Sequence, residues 1–418
     1  MNFKSLRNLS LYVVFSAING AIPFFLLPVL TNYLSPASYG TVAIFQTSMA
    51  ALIPVVSLSL GFKMDKDFFH LSKENLAANI FNILAVMLTV ILAVTLLVFC
   101  LVVQLELEIV GLPNVWIICL PSLSGLSCMV SFILILLRNQ ESVGEYGIWQ
   151  IGFTLLNLGL SLLFVLYYAL DWQGRALGIA LANIITALLA IFRMYQTGYI
   201  VFVFSLSRYT EILKFGLPLL FNGISIFLIY QVNILFIDFF VDKSEVGIYS
   251  VALAFAAMTG LIKEGVVKTF NPWLYRVLSQ VSSEQIRLDI IKKIVLISLS
   301  LIMLAFIVET ISSYLIIYMI GSEYYSAQKL VLILSMAIAA NGIYNIIVPF
   351  YISRSNTKLL SLTSVFTAMF SVVVNYLLIN EYGKEGAAWS LLMSVGFQLF
   401  LVLCCLPLNK KILKNKWS

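Results

Sequence analysis

The chain has 418 residues, 61% of them hydrophobic and only 11% charged, with a net charge of +6. A soluble domain is about half apolar and about a quarter charged. A water-soluble fold of this length is therefore excluded, because so few charges cannot cover its surface.

Twelve apolar segments follow one another, at roughly 9–34, 40–62, 77–103, 115–137, 148–170, 176–198, 215–240, 246–268, 293–316, 329–352, 359–380 and 386–408. Each is long enough for a helix to cross a ~30 Å hydrocarbon core at ~1.5 Å per residue. Lipid offers the backbone no partner, so each span is expected to be a helix that closes its own hydrogen bonds. The alternating strands of a β-barrel do not occur. The weakly basic opening MNFKSLRNLS is not expected to be a cleaved leader. The apolar run behind it extends to Leu34, past the about 7–15 residues of a signal core.

With the N-terminus placed inside, 21 of the 25 Lys and Arg fall in inside segments. The other 4, Arg175, Lys243, Lys329 and Lys384, fall in outside loops. Cytoplasmic segments retain Lys and Arg, so both termini are expected in the cytoplasm. The basic balance then reports topology and not nucleic-acid binding.

Two outside tips are alike: LSPASYGTVAIFQ from Leu34 and VDKSEVGIYSVAL from Val241, 207 residues apart. Six spans separate them, so both halves enter the membrane from the same side. The expected fold is an all-α membrane protein of about twelve spans. It forms two parallel-repeat six-helix lobes, residues 1–205 and 206–418, with a site between them. Pro36 and Gly40 in one tip, and Asp242 and Gly247 in the other, are expected to stop one helix and start the next. The inside connection 269–292 puts Trp273, Leu274, Val277, Leu278 and Val281 on one helical face. That pattern suits a helix lying in the membrane interface, or a loop docked on the protein.

Little points to catalysis. The five cysteines lie in apolar runs without CxxC spacing and His70 is the single histidine, so neither a disulfide nor a metal site is expected. No GxxxxGK[ST] occurs, so the chain carries no P-loop ATPase of its own. The outside loops are short, and their acidic pairs Glu106/Glu108 and Glu381/Glu385 read as solvated helix ends. These features weigh against a membrane enzyme of glycan assembly.

What remains is polar sequence inside spans, where burial in lipid is costly. Asn19 lies near the middle of the first span, Asn222, Gln231 and Asn233 along the seventh, and Asn341 and Asn345 along the tenth. Such amides either hold sugar hydroxyls in a cavity or hydrogen-bond between helices at ~0.6 kcal/mol per contact. Lys63 ends the second span, and Lys263, Glu264 and Lys268 end the eighth, its repeat mate. Together with Arg138 and Arg354, these lysines either line an inward mouth that receives a diphosphate or act as snorkelling anchors. Glu309, Glu264 and Asp238 are the carboxylates available for ion coupling. Glu309 also fits the outer end of a short helix, and Asp238 lies near the outer end of its span.

The sequence resembles the polysaccharide transporters of the MOP flippase superfamily, most closely the bacterial O-antigen flippases (Wzx-like), over essentially its whole length. The resemblance rests on LPVLTNYLSPASYGTVAIFQ, on LKFGLPLLFNGISIFLIYQVNILFIDFF with VDKSEVGIYSVAL, and on IGSEYYSAQKLVLIL. The last is similar to the family's Gly-x-x-Tyr-x-x-Ala lead-in to the tenth helix, here Gly321, Tyr324 and Ala327. The resemblance implies a MATE-like bundle with a central cavity lined by spans 1, 2, 7 and 8. It implies transfer of undecaprenyl-diphosphate-linked oligosaccharide to the outer leaflet of the inner membrane, without a cofactor. Small-molecule antiport of the multidrug branch is the alternative. Implied partners are the lipid-linked substrate, membrane lipids and the polymerase and chain-length machinery of the same pathway, with the chain a monomer or weak oligomer.

Overall fold

The computed structural model describes residues 3–104, 111–280, 284–353 and 357–405. Its first seven helices are α1 (Phe3–Tyr33), α2 (Pro36–Ser57), α3 (Gly61–His70), α4 (Lys73–Phe99), α5 (Asn114–Asn139), α6 (Val143–Leu162) and α7 (Asp171–Gln196). The others are α8 (Leu206–Tyr230), α9 (Val232–Phe240), α10 (Lys243–Gln280), α11 (Glu284–Met319), α12 (Gln328–Ile352) and α13 (Thr357–Cys404). No strand occurs among the described residues.

Among the described residues eleven helical stretches are long and apolar enough to cross a membrane, and the last is long enough for two spans. Gly383, inside α13, has φ 56° and ψ −134°, a left-handed φ that glycine adopts without a side-chain clash. The two arms fold back on each other there. Ser390 donates to Asn375 Oδ1 at 2.6 Å, and the rings of Phe370 and Phe397 stack at 4.3 Å. A straight helix would hold Asn375 and Ser390 ~22 Å apart. With that fold-back counted, the described residues hold twelve segments of spanning length, as the hydropathy implied.

The boundaries differ in three places. The second span stops at Ser57, because Leu58 (φ 47°) and Ser59 (φ 54°) turn left-handed. The apolar run simply continues into the short helix α3, which buries Lys63, Met64 and Asp67 and exposes Phe62 and Phe69. The seventh span is broken at Gln231 (φ −132°, ψ −17°), between α8 and α9. The expected separate helix or docked loop in 269–292 is corrected, because α10 runs unbroken from Lys243 through Pro272 to Gln280. Trp273, Leu274, Val277 and Leu278 ride on its last turns, and Leu274 is buried with Phe270 and Ile290. A cluster of charges at 263–268 is no helix stop, since Glu264 and Lys268 support each other one turn apart. Val281 lies outside the described residues.

The two tips start their helices as expected. The Ser35 hydroxyl accepts from Ser38 N at 3.2 Å ahead of Pro36, and Asp242 Oδ1 accepts from Glu245 N at 2.8 Å. The glycines do something else. Gly40 and Gly247 lie inside α2 and α10, where the two backbones touch. A Cβ on Gly40 would stand 1.8 Å from Lys243 O, and a Cβ on Gly247 2.0 Å from Pro36 O. The pairs 36/243 and 40/247 are both related by the 207-residue offset. The contact is therefore reciprocal, as across a two-fold axis.

Around this contact the chain is closed. Ile44 and Phe45 of α2 pack in one core with Tyr249 and Phe255 of α10. Tyr324, the tyrosine of the lead-in to α12, donates to Leu34 O at 2.8 Å and packs edge-on against Tyr39. Lys243 donates to Gly111 O at 2.6 Å. Farther along α10, Ala257, Leu261, Ile262 and Glu264 are exposed. The halves are joined at the tip end through α2 and α10, and again through α2 and α8, where a Cβ on Gly216 would stand 2.7 Å from Leu58 Cβ and one on Gly223 2.6 Å from Pro54 Cβ.

Gly40→Val places a side chain where a backbone carbonyl stands, an overpacking cost of ~1–3 kcal/mol. In detergent the variant is expected to melt at a lower temperature. In a cysteine-free background carrying Ser48→Cys, thiol labelling from the tip side should accelerate. An unchanged labelling rate would mean that the glycine contact does not hold the tips together.

Candidate functional site

The most extended polar cluster of the second half starts at Lys263. The α10 helix carries this lysine inward, and its Nζ donates to Asn341 Oδ1 of α12 at 2.9 Å. Asn341 Nδ2 donates to the Tyr230 hydroxyl at 2.6 Å. That hydroxyl donates to Gln398 Oε1 at 3.0 Å. Asn345 adds a bond to Asn341 Oδ1 at 3.0 Å. One hydrogen-bonded chain thus links α10, α12, α8 and α13. Gly342 makes room for the lysine stem, since a Cβ there would stand 2.7 Å from Lys263 Cγ.

The chain edges a cavity of about 330 Å³, whose other walls include Leu391 and Val395. This is the lower end of the range, about 300–1,000 Å³, that small ligands occupy. Glu264 lies 3.2 Å from Lys263 Nζ and is half exposed. Lys263 has three N–H donors and two acceptors among the described residues. One donor is left for a ligand.

The other expected mouth cations are committed differently. Lys63 is 6% exposed and sits between Asp67 at 3.4 Å and Glu211 of α8 at 3.0 Å. Asp67 also accepts from Asn79 at 3.2 Å. This group clamps α3 and α4 to the start of α8. Arg138 pairs with Asp65 at 3.0 Å near the surface, where such pairs contribute ~0–1 kcal/mol. Lys268 pairs with Glu264 at 3.8 Å. Arg354 lies outside the described residues. Each described cation of the set therefore faces a carboxylate, and Lys263 alone of them also faces a neutral amide.

The amides divide in two. Asn19 accepts from Thr154 of α6 at 2.5 Å, and buried Asn233 donates to Tyr249 at 2.9 Å. Both join neighbouring helices. Asn222 is half-buried and Gln231 exposed, and neither side chain has a hydrogen-bond partner among the described residues. Gln231 stands at the break between α8 and α9, where helix geometry is already lost. Of the carboxylates, half-buried Glu309 accepts from the Ser313 hydroxyl at 3.2 Å, and Glu264 is held by two lysines. Asp238 on α9 is half-buried, without a salt bridge among the described residues. No group of three metal-binding side chains occurs among the described residues.

Sequence reading did not single out Tyr230, Gln398 or Glu211. Gln398 is a lone amide in the twelfth span and carries the same signal as Asn341. Tyr230 carries none, because its ring suits an apolar span and its hydroxyl matters only once Asn341 is beside it.

Asn341→Leu strips partners from the Lys263 ammonium and the Tyr230 hydroxyl, and should destabilise the protein by ~1–3 kcal/mol in detergent denaturation. A double-mutant cycle of Lys263→Met with Asn341→Leu should show a coupling of ~0.5–3 kcal/mol. Additive effects would mean that the two side chains do not interact. Lys63→Met leaves Asp67 with an amide alone. The variant should melt earlier than Lys63→Met combined with Asp67→Asn, in which no charge is stranded.

A sequence profile described as polysaccharide biosynthesis protein matches residues 5–276. A protein of the Lsg locus of Haemophilus influenzae is 24% identical over 378 residues, covering 88% of this chain and 90% of that one. Among solved structures, an inward-facing multidrug resistance MATE family transporter of the MOP superfamily aligns with a TM-score of 0.69. It is 12% identical, and the alignment covers 97% of this chain and 93% of that one. The lipid II flippase MurJ in an inward closed conformation gives 0.68 at 15% identity, covering 95% and 86%. These structures share the fold, and the profile covers well over half of the sequence. The chain thus belongs to the polysaccharide biosynthesis protein family and shares its fold with MATE and MurJ structures.

Proposed function

We propose that the chain moves an undecaprenyl-diphosphate-linked oligosaccharide, an O-antigen or similar repeat unit, from the cytoplasmic to the periplasmic leaflet of the bacterial inner membrane. The observation that carries this reading is the Lys263–Asn341–Tyr230–Gln398 chain beside a cavity, in a family named for polysaccharide biosynthesis.

Lys263 receives the diphosphate. Its one spare donor points to charge-assisted bonding, which is about twice as strong as the neutral kind. Half-exposed Glu264 gives way, since water or Lys268 can hold it. Lys63 and Arg138 stay with their own carboxylates and shape the mouth. Asn222 and Gln231, free of protein partners among the described residues, meet sugar hydroxyls. The polyprenyl tail remains in lipid. Lobes 1–205 and 206–418 rock against each other, closing and opening the Gly40/Gly247 contact, with both termini in the cytoplasm. The pathway's polymerase and chain-length machinery take over the product.

Clean deletion of the gene, in a strain with no second flippase, should leave repeat units on the cytoplasmic face and abolish surface glycan. Lys263→Ala removes a charged hydrogen bond worth ~1.5–3 kcal/mol. It should complement at least about tenfold less well than wild type at equal protein level, while Arg138→Ala complements normally. Normal surface glycan after deletion contradicts the proposal. If drug efflux is lost instead, small-molecule antiport is the function, as for the multidrug transporters that share the fold.

A further inference from the structure

A second hollow lies on the opposite flank of α10. At 3.6 residues per turn, Ala257, Gly260, Lys263 and Glu264 face the cavity described above, while Gly265, Val266, Phe270 and Trp273 face away from it. The second hollow runs between α10 and α11 and holds about 630 Å³. Val266, Phe270 and Trp273 wall one side, and Leu296 and Ile297 the other. It is open because Gly265 has no side chain; a Cβ there would meet nothing within 4 Å. Thr269 is the polar residue of the α10 wall. Its hydroxyl turns back to Gly265 O at 2.8 Å, which leaves the hollow an apolar lining.

Among the described residues, one charged side chain lines this site. Lys293 Nζ lies over the Trp273 ring, 4.1 Å from its centre. No carboxylate lies within 4.0 Å of it among the described residues. Lys293 stands near the start of the span Asp289–Met319, where the hydrocarbon gives way to headgroups. An apolar wall beside a lysine that is without a carboxylate partner among the described residues is complementary to a lipid with an anionic head.

We infer that the hollow between α10 and α11 is a binding site for an anionic diacyl phospholipid, its acyl chains on Val266, Phe270, Leu296 and Ile297 and its phosphate at Lys293. The lipid is a resident of the membrane and not the transported substrate, because the polar cavity lies on the other flank of α10. A single cation also suits one phosphate and offers nothing to a glycan. The inference stands independently of the proposed cargo.

The test is native mass spectrometry of the full chain with phosphatidylglycerol and phosphatidylethanolamine of matched acyl length. One lysine at an anionic surface predicts about fivefold preferential retention of phosphatidylglycerol. Lys293→Gln should abolish the preference and Lys293→Arg should keep it. Gly265→Leu, which fills the hollow, should lower retention of both lipids. An unchanged preference in Lys293→Gln overturns the site, and the two Lys293 variants decide even if Gly265→Leu fails to fold. Displacement of phosphatidylglycerol by equimolar polyprenyl phosphate also overturns it and assigns the hollow to the substrate's tail.

Discussion

A Cβ atom has no room at Gly40 or Gly247, and this steric limit lets two helices touch backbone to backbone. Because positions 36, 40, 243 and 247 are related by one offset, the same close backbone approach is made twice, once in each direction. Such a contact is short-range and unforgiving. It fixes α2 on α10 at the tips, and the core of Ile44, Phe45, Tyr249 and Phe255 fills in behind it. Beyond that core the helices have no equally tight contact, and the surface of α10 opens from Ala257 onward. The polar cluster around Lys263 lies on this open stretch. The tight packing of the tips thus follows from where the glycines stand.

The second constraint is solvent. Hydrocarbon satisfies no hydrogen bond, so polar groups placed in spans find each other. Most serine and threonine hydroxyls in the spans bond back to their own helix, as Thr31, Thr186 and Thr367 do. Longer side chains reach across helices. Arg175 is buried and donates to Asn157 and Ser161, both at 2.5 Å. Lys384 pairs with Glu245 at 2.8 Å. Against this background of closed pairs, Lys263 stands out as a near-buried cation with a cavity at its side.

The crossings were legible because hydropathy is a local property and lipid enforces it. The repeat was legible in its two tips, yet the reason for its glycines was not. A Gly near a turn reads as a helix stop, while here it permits a contact with a segment 207 residues away. Long-range partners explain the other differences. Lys63 looked like a mouth cation, and Glu211, 148 residues on, ties it into a clamp. Asn19 and Asn233 looked equivalent to Asn222 and Gln231, and only the positions of Thr154 and Tyr249 separate them. The break after Ser57 carries no signal at all, since Leu58 and Leu60 prolong the apolar run while the backbone turns.

Transport itself is tested most directly in proteoliposomes. The purified chain would be reconstituted with a fluorescent undecaprenyl-diphosphate oligosaccharide in one leaflet, and the fraction reaching the other leaflet read with a membrane-impermeant quencher. Wild-type protein is predicted to equilibrate the lipid between leaflets, while a form whose tips are cross-linked through cysteines introduced at Tyr39 and Tyr324, whose rings lie 6.1 Å apart, leaves it where it began. Equal movement in the cross-linked protein, or none in the wild type under an imposed ion gradient, would contradict a carrier whose tips part at the glycine contact.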